Sequence, residues 1–222
     1  MFVRSSRTAK LRQIIPPIVH RREIATPPIA MAPGISDAIK KDHQDIKSYF
    51  DKIVNSSDRD EQTRFHNLFT WELARHSIGE ELIVYPVFEK MLSDGVAMAN
   101  KDRKEHLKVK EQLKAFQNLR PSETQFIPTI KELMENLSEH IEEEETDDLP
   151  KLEAALSQED SQGYAKTFGR TKMFVPSRSH PSAPDKPPFE TVVGLMTAPI
   201  DHLAGLFRKW PDTSGMPNPS TK

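Results

Sequence analysis

The 222-residue sequence contains no cysteine. That absence excludes disulfides, thiolate zinc sites, iron–sulfur clusters and a cysteine nucleophile together. Any metal must therefore be held by nitrogen and oxygen. No run of about 18 apolar residues occurs, so no transmembrane helix is expected. Apolar residues are scarce at 36% and charged residues reach 29%, so part of the chain is expected to lie outside a packed core. The net charge of -2 gives no global bias towards nucleic acid or an anionic membrane.

Proline is scarce in one place only. Of eighteen prolines, five precede residue 36, nine follow residue 175, and four lie in the 140 residues between. An interior proline costs a helix about 3 kcal/mol, so the middle is where helices can form. Residues 1–35 form a basic arm with Arg4, Arg7, Lys10, Arg12, Arg21 and Arg22 against one acid, Glu23. An Arg-rich, acid-poor start with Leu11, Ile14, Ile15 and Ile18 as an apolar face has the composition of a mitochondrial presequence. The alternative is a disordered basic tail on a cytoplasmic protein.

Four amphipathic stretches follow. Helix one is expected over about 36–54, capped by Ser36 or Asp37, with Ile39, Ile46, Phe50 and Ile53 on one face. His43 fills the gap in that stripe. Helix two is expected from about Asp60 to Leu92, with Phe65, Phe69, Leu73, His76, Glu80, Ile83 and Val87 at steps of three and four. Pro86 should kink it or loosen its last turns. Gly79 either leaves room beside the site or is tolerated at about 1 kcal/mol.

Helix three, about 96–119, presents Ala99, His106, Val109, Leu113 and Phe116. Helix four, about 123–145, presents Ile130, Leu133, Leu137, His140 and Glu144, with Pro128 acceptable only near its start. Short helices at about 151–156 and near 160–168 come next. Four helices joined by short links predict an all-α, up-down-up-down four-helix bundle over residues 36–157. Residues 158–222 are read as a short helix and a proline-rich tail. Its amphipathic segment at about 190–210, with Val192, Leu195, Pro199, Leu203, Leu206 and Trp210, is expected to dock on the bundle.

One pattern occurs twice. His76 and His140 each have a glutamate four residues later, Glu80 and Glu144, and a proline ten later, Pro86 and Pro150. A lone histidine precedes each: His43 by 33 residues and His106 by 34. A spacing of four puts both side chains on one helix face, about one turn apart. A single histidine on an apolar face is usually a core residue satisfied by backbone or water. Six ionisable residues on four apolar stripes, with no arginine among them, are a different matter. Unpaired buried carboxylates are costly, and a bound cation removes that cost.

His43, His76, Glu80, His106, His140 and Glu144 are therefore the candidate metal ligands. Four imidazoles and two carboxylates exceed a structural zinc site, and imidazole argues against calcium or magnesium. Two first-row ions bridged by carboxylates fit the set. Bridging glutamates would leave about four of twelve octahedral positions for an oxo or hydroxo bridge and a small ligand such as dioxygen. His66, ten residues before His76, is expected to be partly exposed, and His20, His180 and His202 lie in the arm and tail. The acidic run Glu142 to Glu145 with Asp147 and Asp148 reads as a solvated helix end.

These residues carry a resemblance. Asp42-His43, His76-x3-Glu80, Glu105-His106 and His140-x3-Glu144 resemble the hemerythrin-like family with its histidine–histidine–glutamate cation-binding domain, over about residues 36–157. The stretches WELARHSIGEELIVYP and FVPSRSHPSAPDKPPFETV are similar to fungal members of that family. The resemblance implies a four-helix bundle holding a non-haem di-iron centre able to meet dioxygen. Dioxygen carriers have two histidines four apart on helix three, where this chain follows His106 with Lys110. They also place the helix-four carboxylate five after the histidine, the position of Glu145. Positions i+4 and i+5 lie about 40° and 140° round a helix, which favours Glu144. Glu145 and Glu81 stand as the alternatives.

Three functions follow. The first is a metal-binding protein that binds or senses dioxygen or iron without turnover. The second is a di-iron oxidase or a peroxide- or nitric-oxide-reacting enzyme, although no general acid or base stands out beyond the ligand set. The third is a metal-free helical interaction module with the amphipathic tail as its working part.

Overall fold

The structure is a computed structural model that describes residues 32–183, 185, 199, 201 and 203–211. Residues 1–31 of the presequence expected over 1–35 lie outside the described residues, as does most of the amphipathic segment at 190–210. Seven α-helices are described: α1 (Ile35–Asn55), α2 (Arg59–Gly79), α3 (Tyr85–Met91), α4 (Gly95–Phe116), α5 (Phe126–Glu143), α6 (Leu149–Ala155) and α7 (Gln158–Lys172). Two π-helical turns, Glu80–Val84 and Glu144–Asp148, join α2 to α3 and α5 to α6. The result is four rods: α1, α2–α3, α4 and α5–α6. They run up-down-up-down, with α7 laid across α1, α2 and the first π turn.

The π turns explain the two repeated prolines. A helical proline has no N–H to give the carbonyl four residues back. Each π turn widens the ladder just before the ring, with Tyr85 N–H reaching Glu80 O and Leu149 N–H reaching Glu144 O. So Pro86 and Pro150 sit near the starts of α3 and α6 without ending the rods. The helix expected separately at 151–156 is accordingly the continuation of rod four. The inserted residue also turns the following face, so Val84 and Tyr85 are buried where Ile83 was expected. On α1 the bulky core residue is Tyr49, and Phe50 is half-buried beside it.

Helix ends are held by both local and distant groups. Asp58 caps α2 by accepting the Asp60 N–H at 2.8 Å. Asp37 accepts the Gly34 N–H at 3.0 Å, while the free N–H groups of Ile35 and Ser36 go to Ser161 Oγ and Glu153 Oε1. The first turn of α1 is thus capped from α6 and α7. Pro128 falls in the first turn of α5, where its missing N–H leaves no bond unmade.

The core is divided in two. One cluster contains Ile46, Tyr49, Phe69, Leu73, Leu113, Phe116, Leu133 and Leu137. The other contains Ile35, Ile39, Val84, Tyr85, Phe88, Ala99, Leu149 and Phe168. Along each rod the histidines fall between the two: His43 lies between Ile39 and Ile46, and His140 between Leu137 and Leu149. A polar layer therefore cuts through an apolar bundle.

Helix α7 is longer than the segment expected near 160–168, and it closes one side of that layer. A Cβ on Gly79 would lie 2.7 Å from Phe168 Cε2, so glycine is required there for close approach. Lys172 ion-pairs with Asp42 and Glu72, and the Arg75 Nε–H donates to the Lys172 carbonyl. Of the tail, Trp210 is buried on the first cluster, with its carbonyl accepting from Arg64. Leu203 and Leu206 are exposed, contrary to expectation. Only the tryptophan end of that face finds an apolar partner among the described residues.

His66 corrects another expectation. It is buried, its Nε2–H donates to the Phe116 carbonyl at 3.2 Å, and its ring packs on Phe116 and Phe126. Burial, then the charges of Arg178 and Arg208, pull its pKa from 6.5 down to about 4. The unfolded chain therefore takes up this proton first, and stability falls as pH drops from 6.5 towards 4. The loss is roughly 3 kcal/mol. Denaturant titrations of His66→Gln should show a correspondingly shallower acid slope over that window, and an unaltered slope would contradict the buried neutral ring. Gly79→Ala should destabilise by about 1–3 kcal/mol. Gly163→Ala, with nothing within 4 Å of the added Cβ, should instead stabilise by about 0.5–1 kcal/mol. Equal thermal shifts in the two variants would argue against the packing of α7.

Candidate metal centre

The four rods bring His43, His76, Glu80, His106, His140 and Glu144 into one buried layer, none more than 3% exposed. His43 Nε2 lies 3.3 Å from Glu144 Oε2, and His76 Nε2 lies 3.2 Å from Glu80 Oε2. His106 Nε2 is 3.4 Å from the same Glu80 oxygen and 3.0 Å from His140 Nε2. Two donor triads result, His43–His76–Glu80 and Glu80–His106–His140, each with its ligand atoms within 4.8 Å of one another. Glu80 belongs to both. Its carboxylate is therefore within reach of both triads.

These groups approach without pairing. Both oxygens of Glu80 and of Glu144, and Nε2 of His43 and of His76, make no hydrogen bond among the described residues. Buried polar atoms left unpaired in this way cost about 1–3 kcal/mol each. Two donors bound at right angles to one ion at about 2.1 Å lie about 3 Å apart. The separations of 3.0–3.4 Å fit that arrangement. Two facing imidazole nitrogens, as in His106 and His140, likewise suit a shared acceptor of lone pairs.

Electrostatics agree with the geometry. Burial and the neighbouring Glu144 push Glu80 well above the usual carboxylate range. Burial opposes ionisation of Glu144 too, but the His43 imidazole 3.3 Å away, and then His140 and His76, draw it below that range. Burial, then the His43 charge, pulls His76 well down, and burial also lowers His106. His140 is raised because Glu105 and Glu144 outweigh its burial. A cation would hold both carboxylates ionised and the imidazoles neutral at once.

Behind the inward-facing nitrogens stands a cycle of carboxylates. Asp42 of rod one reaches His76 Nδ1 of rod two at 3.3 Å, and Glu81 of rod two reaches His106 Nδ1 of rod three at 3.4 Å. Glu105 of rod three reaches His140 Nδ1 of rod four at 2.9 Å, and Glu145 of rod four reaches His43 Nδ1 of rod one at 2.8 Å. Each of these acids is the sequence neighbour of one site residue and the partner of another on the next rod. A carboxylate on Nδ1 assigns the proton there and leaves Nε2 free to ligate. Glu81 and Glu145, weighed above as ligands, accordingly face the backs of histidines. The group Asp102–Glu105–His140 also has metal-like spacing, but Glu105 and His140 are already bonded to each other.

Tyr85 escaped the sequence reading, and Lys110 entered it only as a missing histidine, without its partner. Tyr85 is fully buried with its hydroxyl 2.9 Å from His106 Nε2. In an unbroken α-helix it would stand about 140° from Glu80, and the π turn brings it back. Only the proline six residues past the glutamate hinted at that turn. Lys110 is buried with Nζ 2.8 and 2.9 Å from the two Glu81 oxygens, closing one corner of the layer with an ion pair. His180 lies apart, bonded to Asp201 at 3.0 Å, while His20 and His202 lie outside the described residues.

An antiparallel helix bundle with a buried histidine–glutamate layer defines a class of cation-binding protein. The family model described as Hemerythrin HHE cation binding domain matches residues 34–152, more than half of the chain. The chain belongs to that family. A hemerythrin-like protein of Schizosaccharomyces pombe, itself described as uncharacterized, is 56% identical over 178 residues, covering 80% of this chain and 88% of that protein. A DNA nickase of Nostoc is 24% identical over 146 residues, covering 65% of this chain and 41% of that protein. No solved structure gives a significant match.

The outer carboxylates can be tested separately from the inner set. Glu105→Gln and Glu145→Gln should each weaken metal retention against a chelator by about 10–100-fold while leaving helicity intact. Retention equal to that of the parent in both would remove the carboxylate cycle from the site.

Proposed function

We propose that this protein binds metal through a non-haem di-iron centre and uses it to bind or sense dioxygen or iron. His43, His76, Glu80, His106, His140 and Glu144 would hold the ions. The observation that carries this reading is the convergence of six buried donors, several of them without a hydrogen-bond partner, on one layer. Iron would supply an open, redox-active coordination position for a small diatomic ligand. The chain itself orients each imidazole through a carboxylate. It also excludes water by placing an apolar cluster on either side. No helix described is long and apolar enough to cross a membrane.

A second reading, an oxidising or peroxide-consuming enzyme, is favoured by Tyr85. Its phenol lies inside the layer with its hydroxyl 2.9 Å from His106 Nε2. A phenol so placed can deliver a proton to a small ligand, which a simple carrier does not require.

Expression in iron-supplemented medium followed by metal analysis should give about two irons per chain. Glu80→Ala and His106→Ala should each remove at least one, whereas His180→Ala should retain both. Uniform loss across the three, or no iron in the parent, would reject the proposed ligand set. Oxygen cycling separates the two readings: a reversible spectral change marks a binder, and sustained peroxide consumption lost in Tyr85→Phe marks the enzyme.

A further inference from the structure

Away from the metal layer, the far end of the bundle carries a concavity of about 760 Å³. Its wall includes four arginines, Arg59, Arg120, Arg178 and Arg208, and no carboxylate. They come from unconnected places: the start of α2, the link after α4, and two points in the tail. In a chain whose net charge is -2, four guanidinium groups around one concavity with no carboxylate in its wall stand out. His66 forms part of the same wall, ten residues from His76, or about 15 Å along the helix. The concavity is therefore distinct from the metal centre.

The nearby acids are occupied elsewhere. Asp58 accepts the Asp60 N–H, Glu61 the Ser56 hydroxyl, and Glu123 the Arg120 backbone N–H. Asp201 is held by the Arg178 N–H at 3.2 Å and by His180 Nε2 at 3.0 Å. Among the described residues, none of the four arginines forms an ion pair within 4.0 Å. Arg178 spends one N–H on the Gln117 carbonyl, which anchors it and leaves other donors of its fork. Arg178 and Arg208 are half-buried; burial lowers both, and Asp201 acts against that on each. Burial and Arg208 draw Arg178 down to about 10, and the same two arginines help keep His66 neutral.

We propose that this concavity is a binding site for a small multivalent oxyanion, of the size and charge of a di- or triphosphate. Guanidinium forks match phosphate and carboxylate oxygens in paired hydrogen bonds. The volume lies within the roughly 300–1,000 Å³ usual for small-molecule sites. Thr63, Asn67 and Ser122 add neutral polar groups to the wall, and Leu119 and Pro121 offer an apolar side for whatever the anionic groups are attached to. Bound anion would relieve the Arg178–Arg208 repulsion and tie the tail to α2 and the link after α4. Phosphate is favoured over nucleic acid because the arginines line a concavity rather than a stripe.

The test is calorimetric titration of the full-length protein with pyrophosphate, with orthophosphate, citrate and a short DNA duplex as parallel arms. Pyrophosphate should bind at least tenfold more tightly than orthophosphate. Arg208→Gln and Arg59→Gln, neither of which carries a structural hydrogen bond through its side chain among the described residues, should each weaken it about tenfold or more. Arg178→Lys, which keeps the charge and loses the fork, should weaken it as well, and Lys166→Gln on exposed α7 should not. Citrate binding ahead of pyrophosphate would assign the same site to a polycarboxylate. Absence of heat with all small anions, affinity unchanged in both glutamine variants, or duplex binding without pyrophosphate binding would overturn the proposal.

Discussion

Removing a carboxylate from water costs several kcal/mol unless something charged or hydrogen-bonding replaces the solvent. Glu80 and Glu144 are both fully buried, and the groups facing them are imidazoles rather than arginines. That unpaid electrostatic debt is the constraint on which the rest of the bundle depends. It explains why the apolar core is split into two clusters, and why each inward nitrogen is backed by an acid. Without a cation the layer is a set of lone pairs pointing at one another. With a cation the same atoms become a coordination shell.

The π turns follow from the same constraint. Each begins at a buried glutamate and ends beside a proline that could not have joined a regular ladder. The extra residue lets the rod continue past the site while changing the face it presents. On rod two this brings Tyr85 back to the layer; on rod four it brings Leu149 to the apolar cluster above. The prolines therefore shape the site as well as the helix. Helix α7 then completes the enclosure, because Gly79 permits Phe168 to lie against the His76 ring, 6.2 Å between centroids. Lys172 reaches Asp42, and through it the outer side of His76.

Family membership agrees with the resemblance and the helix bundle with the expectation drawn from residue spacing, and the buried donor clusters agree with a metal site at the level the family describes. The same comparison leaves the identity of the metal and the physiological ligand to the proposal above. Lys110 shows how the chain departs from the carrier pattern: the residue occupying the second helix-three histidine position is paired with Glu81 and held at the edge of the layer.

Helical periodicity was enough to read the four rods and the six inward residues from the sequence alone, because local spacing fixes which side chains share a helix face. The duplicated His-x3-Glu-x5-Pro pattern marked the first π turn as a kink at Pro86 and the second as the end of a helix before Pro150. What periodicity cannot contain is the pairing between rods. The cycle from Asp42 through Glu81, Glu105 and Glu145, the burial of His66 against Phe116 and Phe126, and the arrival of Tyr85 beside His106 all depend on neighbours far apart in the chain. The local sequence determined which residues would be forced inward. Only the packing of the rods decided which atom each of them would meet, since hydrogen bonds and ion pairs are set by distance in space.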